Sequence, residues 1–271
     1  MNEHVRHYFT VASEAQEGGH YHQVIPLEVA GSETFESAQL KAPLLPKGWW
    51  ELTRLPSEDR IEFVRGFWFA TLPYMPGTSD IIGKFFGELD DIGVILTQQS
   101  AGSTFLAQMI YSMRNNSTFF RGLPPALKEE RELLRRLFPT HPLPEDFIEF
   151  LKIHNGFSKV TDTGLIPAAA IQPTFESFQE RLSHKPPLTR GAPYNEEINP
   201  SSLIPFYQSF GTDSYQCFFA DWYPQEEMGN LYYSGQDHTL SNFSGRQSLP
   251  ENLAFPSFLH WLAFYLDGIG S

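Results

Sequence analysis

Cysteine is nearly absent: Cys217 is the only one in 271 residues, and a single thiol excludes an internal disulfide framework. Long apolar runs are missing as well. No stretch approaches the roughly 18–20 apolar residues that a membrane-spanning helix needs, so no membrane insertion is expected. The N-terminus, which opens Met1-Asn2-Glu3-His4, carries charges and glycines where a leader peptide has an apolar stretch. With Met1 in place, these readings together give a cytoplasmic protein as the expectation. Basic residues are scarce: 19 Lys and Arg face 32 Asp and Glu, for a net charge of −13. That sign excludes a general nucleic-acid binder, because phosphate contacts need clustered Lys and Arg. The shortage is greatest near the end. From Gly191 to Ser271 the one base is Arg246, set against nine acids. Such acidity aids solubility, or it forms a face that steers a basic partner.

Catalytic motifs are also lacking. There is no G-x-G-x-x-G, P-loop or G-x-S-x-G pattern. The tightest histidine pairs, His4-x-x-His7 and His20-x-His22, match no spacing that specifies a zinc site. Cys217 lies in a phenylalanine-rich strand pattern, Gln216-Cys217-Phe218-Phe219. There a buried, inert thiol is the expectation, over a nucleophile served by His238 or His260. Asp90-Asp91 reads as a turn entering a strand. No catalytic residue, metal or cofactor is expected.

What the chain does hold is core material. Hydrophobic residues make up 41% and aromatics 15%, with 24 Phe, enough to bury a sizeable interior. With 21 Pro and 20 Gly, short strands and turns should predominate. Residues 1–125 read as a β-rich region of unassigned function. Its expected strands are Gln23–Ala30, Ile61–Leu72, Ile92–Gln99, Thr104–Met113 and Ser117–Arg121. Leu123-Pro124-Pro125 breaks this pattern, and residues 126–271 form a second, α+β part. The period of apolar residues predicts a helix over Ala126–Phe138, with Leu127, Leu134 and Leu137 or Phe138 on one face. A second helix starts at Pro144 and brings Phe147, Phe150, Leu151 and His154 to the core, before Asn155-Gly156 stops it. Leu203–Phe206, Tyr215–Ala220 and Asn230–Ser234 read as strands, and Phe255–Leu266 as a largely buried helix.

The order of these features resembles the SUKH superfamily, in the branch founded on the yeast Smi/Knr cell-wall regulators. The match lies in Leu143-Pro144-Glu145-Asp146 through Asn155-Gly156, then in the apolar-Pro-Phe strand Leu203-Ile204-Pro205-Phe206. It continues in Asp213-Ser214-Tyr215 through Asp221, where the customary Gly-Asp pair is loosened to Gly211-Thr212-Asp213. Gly229-Asn230-Leu231-Tyr232 and the helix start Ser257-Phe258-Leu259-His260-Trp261-Leu262 complete it. The resemblance covers about half the chain, Leu127 to Asp267, and leaves the first 125 residues outside. It implies a bent mixed sheet flanked by helices, and a protein-binding rather than enzymatic role. Many bacterial members are immunity proteins that bind and neutralise a toxin, and the founding members are regulatory scaffolds.

The function expected is therefore that of a non-enzymatic protein-binding module, an immunity type whose partner is a basic toxin domain. A regulatory or scaffold protein is the alternative, and an enzyme with an unrecognised site ranks last. The binding surface is expected to centre on the loop Asp221–Gly229. Trp222 and Tyr223 would be its apolar anchors, and Asp213, Asp221, Glu226, Glu227 and Asp237 its acidic field. Buried positions are the competing reading for the two loop aromatics. Trp68 and Trp261 are expected in the core, and Trp49-Trp50 are further anchor candidates.

Overall fold

The structure is a computed structural model that describes residues 3–10, 21–27, 34–114, 118–189, 197–221, 228–241 and 253–267. It has two compact units. One comprises Met1–Pro125 and Ile153–Thr161, the other Ala126–Lys152 and Asp162–Ser271.

The first unit holds helices α1 (Glu3–Thr10), α2 (Phe35–Lys41), α3 (Lys47–Leu52), α4 (Ser57–Thr71) and α5 (Thr78–Gly87). Strands β1 (Gln23–Pro26), β2 (Leu89–Gln98), β3 (Leu106–Met113), β4 (Phe119–Gly122) and β5 (Phe157–Lys159) form one antiparallel sheet in the order β1-β2-β3-β4-β5. The run β2-β3-β4 is a meander, as the alternating sequence predicts, and its first turn has Gly102 at φ +81°. Pro26 is tolerated in β1 because that strand pairs only with β2 and needs no ladder bond on its outer side.

Two expectations fail here. The region is not simply β-rich, and the expected strand Ile61–Leu72 is helix α4. Its abundance of Phe and Trp mimics a strand, but the buried positions Arg60, Val64 and Trp68 recur every four residues. That is the helical period. Glu58 and Asp59 occupy its first turn, where they complement the dipole. Asp91 lies inside β2 rather than in a turn. Its carboxylate meets Arg60 at 2.8 Å and accepts a hydrogen bond from Ser57 Oγ at 2.8 Å, which ties α4 to the sheet. Trp68 packs against Phe85, Phe86, Tyr111 and Phe157, so an aromatic cluster fills this core. The first helix contributes too: Val5 and Phe9 pack on Ile95, Ile110 and Phe119.

The second unit contains helices α6 (Lys128–Leu137), α7 (Glu145–Phe150), α8 (Ala168–Ser183) and α9 (Phe258–Asp267). Its strands are β6 (Gly164–Leu165), β7 (Leu203–Gln208), β8 (Tyr215–Phe219), β9 (Asn230–Ser234), β10 (Thr239–Leu240) and β11 (Ala254–Phe255). They form a sheet in the order β10-β9-β8-β7-β6, and β11 pairs with β9 beside β10. The fold class is α+β, as expected, but every described pairing is antiparallel, so the sheet is not mixed. The short connection Ser209–Ser214 accounts for the β7-β8 pair, since parallel neighbours need a long crossover. Helix α6 begins two residues later than its sequence suggests. Leu127 precedes it, donates its N–H to the Glu130 carboxylate at 2.7 Å, and is exposed, while Leu134 and Phe138 are buried.

The resemblance motifs turn out to be structural fasteners. Asp146 Oδ2 accepts the Leu259 N–H at 3.0 Å, so the second acid after Leu-Pro caps helix α9. Asn230, fully buried, donates to the Ser257 carbonyl at 2.9 Å and accepts from Gln216 at 2.8 Å. Phe206 stacks on Phe218 at 4.2 Å between centroids, with Phe147, Phe258 and Trp261 packed around them.

Candidate interaction surface

The residues with chemical potential are mostly engaged. His154 is buried in the first unit, as its spacing predicts, although helix α7 has ended before it. Its Nδ1 lies 2.9 Å from the Leu123 carbonyl, which accepts only, so Nδ1 carries the proton. Its Nε2 is then an acceptor and takes the Tyr111 O–H at 2.6 Å, while Tyr111 in turn accepts the Trp68 Nε1–H at 3.1 Å. Burial lowers the imidazole pKa to about 4 and raises that of the Tyr111 phenol. The ring is a neutral bracket, not a general base near pH 7. A Cβ on Gly122 would fall 2.3 Å from His154 Nδ1, so only glycine leaves room for the ring. Gly156, at φ +120°, supplies the bend expected of Asn155-Gly156.

Cys217 is fully buried in β8, and burial pushes its thiol pKa well up. Its two suggested partners are engaged elsewhere. His238 meets the Tyr233 hydroxyl and the Pro186 carbonyl, at 3.0 and 2.7 Å, and His260 meets Ser257 Oγ at 2.9 Å. His4 Nε2 contacts the Thr118 carbonyl at 3.2 Å, and His20 lies outside the described residues. Among the described residues, no three His, Cys, Asp or Glu side chains gather as a metal would require.

Of the expected acidic residues that the structure describes, Asp213 and Asp237 lie toward one end of the sheet, where the β7–β8 turn abuts the β9–β10 turn, and Asp221 toward the other. A Cβ on Gly235 would lie 2.2 Å from the Asp213 carbonyl oxygen, and the Gly235 N–H donates to Ser214 Oγ at 3.2 Å. Asp221 is exposed past the far end of β8. The path from Asp213 to Asp221 is roughly 25 Å of extended chain. Trp222, Tyr223, Glu226 and Glu227 lie outside the described residues.

Nor is the Asp213 end simply acidic. Arg181, from α8, donates to Asp213 at 2.9 Å and to the Tyr215 hydroxyl at 2.8 Å. Lys185 donates to the Gly235 carbonyl at 3.1 Å, and the His238 ring joins the same rim. Arg181 and Lys185 precede Gly191, so a charge count over the last 81 residues overlooks them.

One residue was missed altogether. Phe210 stands at the tip of the β7–β8 turn, 62% exposed, at φ +47° beside Gly211 at φ +67°. The Thr212 N–H closes this turn on the Ser209 carbonyl at 2.9 Å. Two successive left-handed residues are the mark of a primed hairpin turn, which suits Asn-Gly far better than a bulky side chain. The conformation is held from beneath. The Phe210 N–H donates to Asp162 Oδ1 at 2.9 Å, and Oδ2 accepts the Tyr207 and Tyr265 hydroxyls at 2.8 and 2.6 Å. Asp162 itself is buried. A strained, outward-facing aromatic on a rigid clamp is the geometry of an anchor residue. Phe-Gly between two strand patterns was its only trace in the sequence.

No curated protein matches the chain. Residues 132–263 match the model of the SMI1 / KNR4 family (SUKH-1). The segment contains the fasteners Asp146, Gln216, Asn230 and Ser257, and also β5 of the first unit's sheet. The C-terminal half of this protein therefore belongs to the SMI1 / KNR4 family, SUKH-1.

Proposed function

We propose that this protein is a non-catalytic binding module of the immunity type, which captures and neutralises a toxin domain. The observation that carries this reading is Phe210, an exposed aromatic kept in a left-handed conformation by the Asp162 clamp. Strain of this kind persists where the surrounding structure enforces it, and it clusters at contact sites. Family membership of the C-terminal half supports protein binding as the role. The engagement of His154 and the burial of Cys217 support a non-catalytic one. Asp213 and Asp237 frame Phe210's side of the sheet, and the loop Asp221–Gly229 would act as a second, separate contact. In the described residues no helix is long and apolar enough to cross a membrane.

The test is protection in cells. The gene would be expressed with each neighbouring open reading frame that encodes a basic, growth-arresting domain. Rescue of growth by wild type, lost in Phe210→Ala with the protein still folded, is the expected result. Failure to protect against any neighbour, together with stable capture of a housekeeping protein, would instead favour the regulatory scaffold.

A further inference from the structure

Helix α4 carries two aromatic side chains, Phe63 and Phe67, that the first unit's core does not use. Phe63 and Phe67, four residues apart on α4, are 62% and 46% exposed, on a face next to the buried stripe of Val64 and Trp68. They form a wall of a cleft of about 290 Å³, with Trp49 and Leu52 of α3 as further lining and with Tyr111 and His154 among its inner residues. Every residue lining this cleft belongs to the first unit.

The chemistry of the inner end selects the occupant. The Trp68 Nε1–H, the Tyr111 O–H and the His154 Nδ1–H are all donated within the protein, and His154 Nε2 is taken as an acceptor. No charged side chain lines the cleft to meet a carboxylate or a phosphate. An amide entering it would lose water and find few partners among apolar walls, which disfavours a peptide. Apolar, ring-lined walls favour a flat hydrocarbon instead. An apolar cavity of about 150 Å³ takes a benzene, and one near twice that size has room for two fused rings. We infer that this cleft is a binding site for a compact, uncharged two-ring aromatic molecule, separate from the protein-binding surface of the second unit.

Naphthalene is the probe. Titration of the full-length protein, followed by ligand-observed saturation-transfer NMR and calorimetry, should show saturable one-to-one binding. Gly48 lines the cleft and has nothing within 4 Å of where a Cβ would stand. Gly48→Leu therefore fills the space while improving helix propensity, and it should weaken binding at least tenfold without lowering the melting temperature. The double variant Phe63→Ala, Phe67→Ala, which alters only partly exposed side chains, should weaken it similarly. Naphthalene-2-carboxylate, decanoate and N-acetyltryptophanamide should each bind at least tenfold more weakly than naphthalene. The inference falls if naphthalene shows no saturation up to its solubility, or if both variants bind it as wild type does. It falls equally if the charged, acyl or amide probe binds more tightly than naphthalene.

Discussion

Protonating His154 would place a charge in an aromatic core and turn its acceptor nitrogen into a donor facing the Tyr111 hydroxyl. Its pKa is lowered to about 4 in the folded state, against 6.5 for a free imidazole. The folded state thus prefers the neutral ring. Its contribution is complete above about pH 6.5 and is lost as pH falls toward 4. A difference of about 2.5 units corresponds to roughly 3 kcal/mol. Urea unfolding at a series of pH values should show that decline, and His154→Gln should flatten it. An unchanged slope in the variant would mean that the decline arises at other groups. Phe210 is the converse case, a residue whose conformation opposes stability. A left-handed residue with a Cβ costs roughly 1–2 kcal/mol, and Asn tolerates it better. Phe210→Asn should therefore raise unfolding free energy by about 1 kcal/mol while abolishing the protection proposed above. A variant that is less stable than wild type would show that Phe210 is a packing residue.

Elements with a clean period were legible in the sequence. The meander β2-β3-β4, the strands β7, β8 and β9, and the helix α9 fall where alternation or a continuous apolar run puts them. Helix α4 was misread because Ile61, Phe63, Val64 and the run Phe67-Trp68-Phe69 favour strands individually, and only the four-residue recurrence of burial reveals a helix. The Phe210 clamp was illegible for another reason. It joins Asp162 to residues 45, 48 and 103 positions away, and such pairings carry no local signal. Strand β5 shows the same difficulty at the level of units. A boundary drawn at Pro125 by composition separates β4 from β5, yet Phe120, Arg121 and Gly122 pair with Lys159, Ser158 and Phe157. Phe157 also stacks on Phe120 at 5.4 Å. Fragments 1–125 and 126–271, made separately, should each expose apolar surface and bind a hydrophobic dye. Mixed together, they should recover the native spectrum. Should 126–271 alone unfold cooperatively as a monomer, β5 is dispensable to its own segment.

At the scale of the whole molecule, a charge of −13 would set how a proposed basic partner arrives rather than how firmly it stays. Exposed pairs such as Arg181–Asp213 contribute only about 0–1 kcal/mol. If the partner is the proposed basic toxin domain, it should associate faster as salt is lowered, with dissociation nearly constant. Glu226→Lys with Glu227→Lys should reduce that salt dependence if the loop Asp221–Gly229 faces the partner, and Asp237→Lys should do so if the Phe210 end does. Stopped-flow association across a salt series separates the two. A wild-type rate indifferent to salt would remove electrostatic steering from the account.

The return of the chain to β5 also has a consequence for synthesis on the ribosome. When β4 emerges, one edge of its sheet has no neighbour until Phe157–Lys159 follows, roughly 35 residues later. At about 5–20 residues per second, that leaves an open, phenylalanine-bearing edge for roughly 2–7 s. An open edge is a template for pairing with other chains. The nascent protein should thus be a chaperone client during this interval, and slowing translation between codons 123 and 156 should lower its soluble yield.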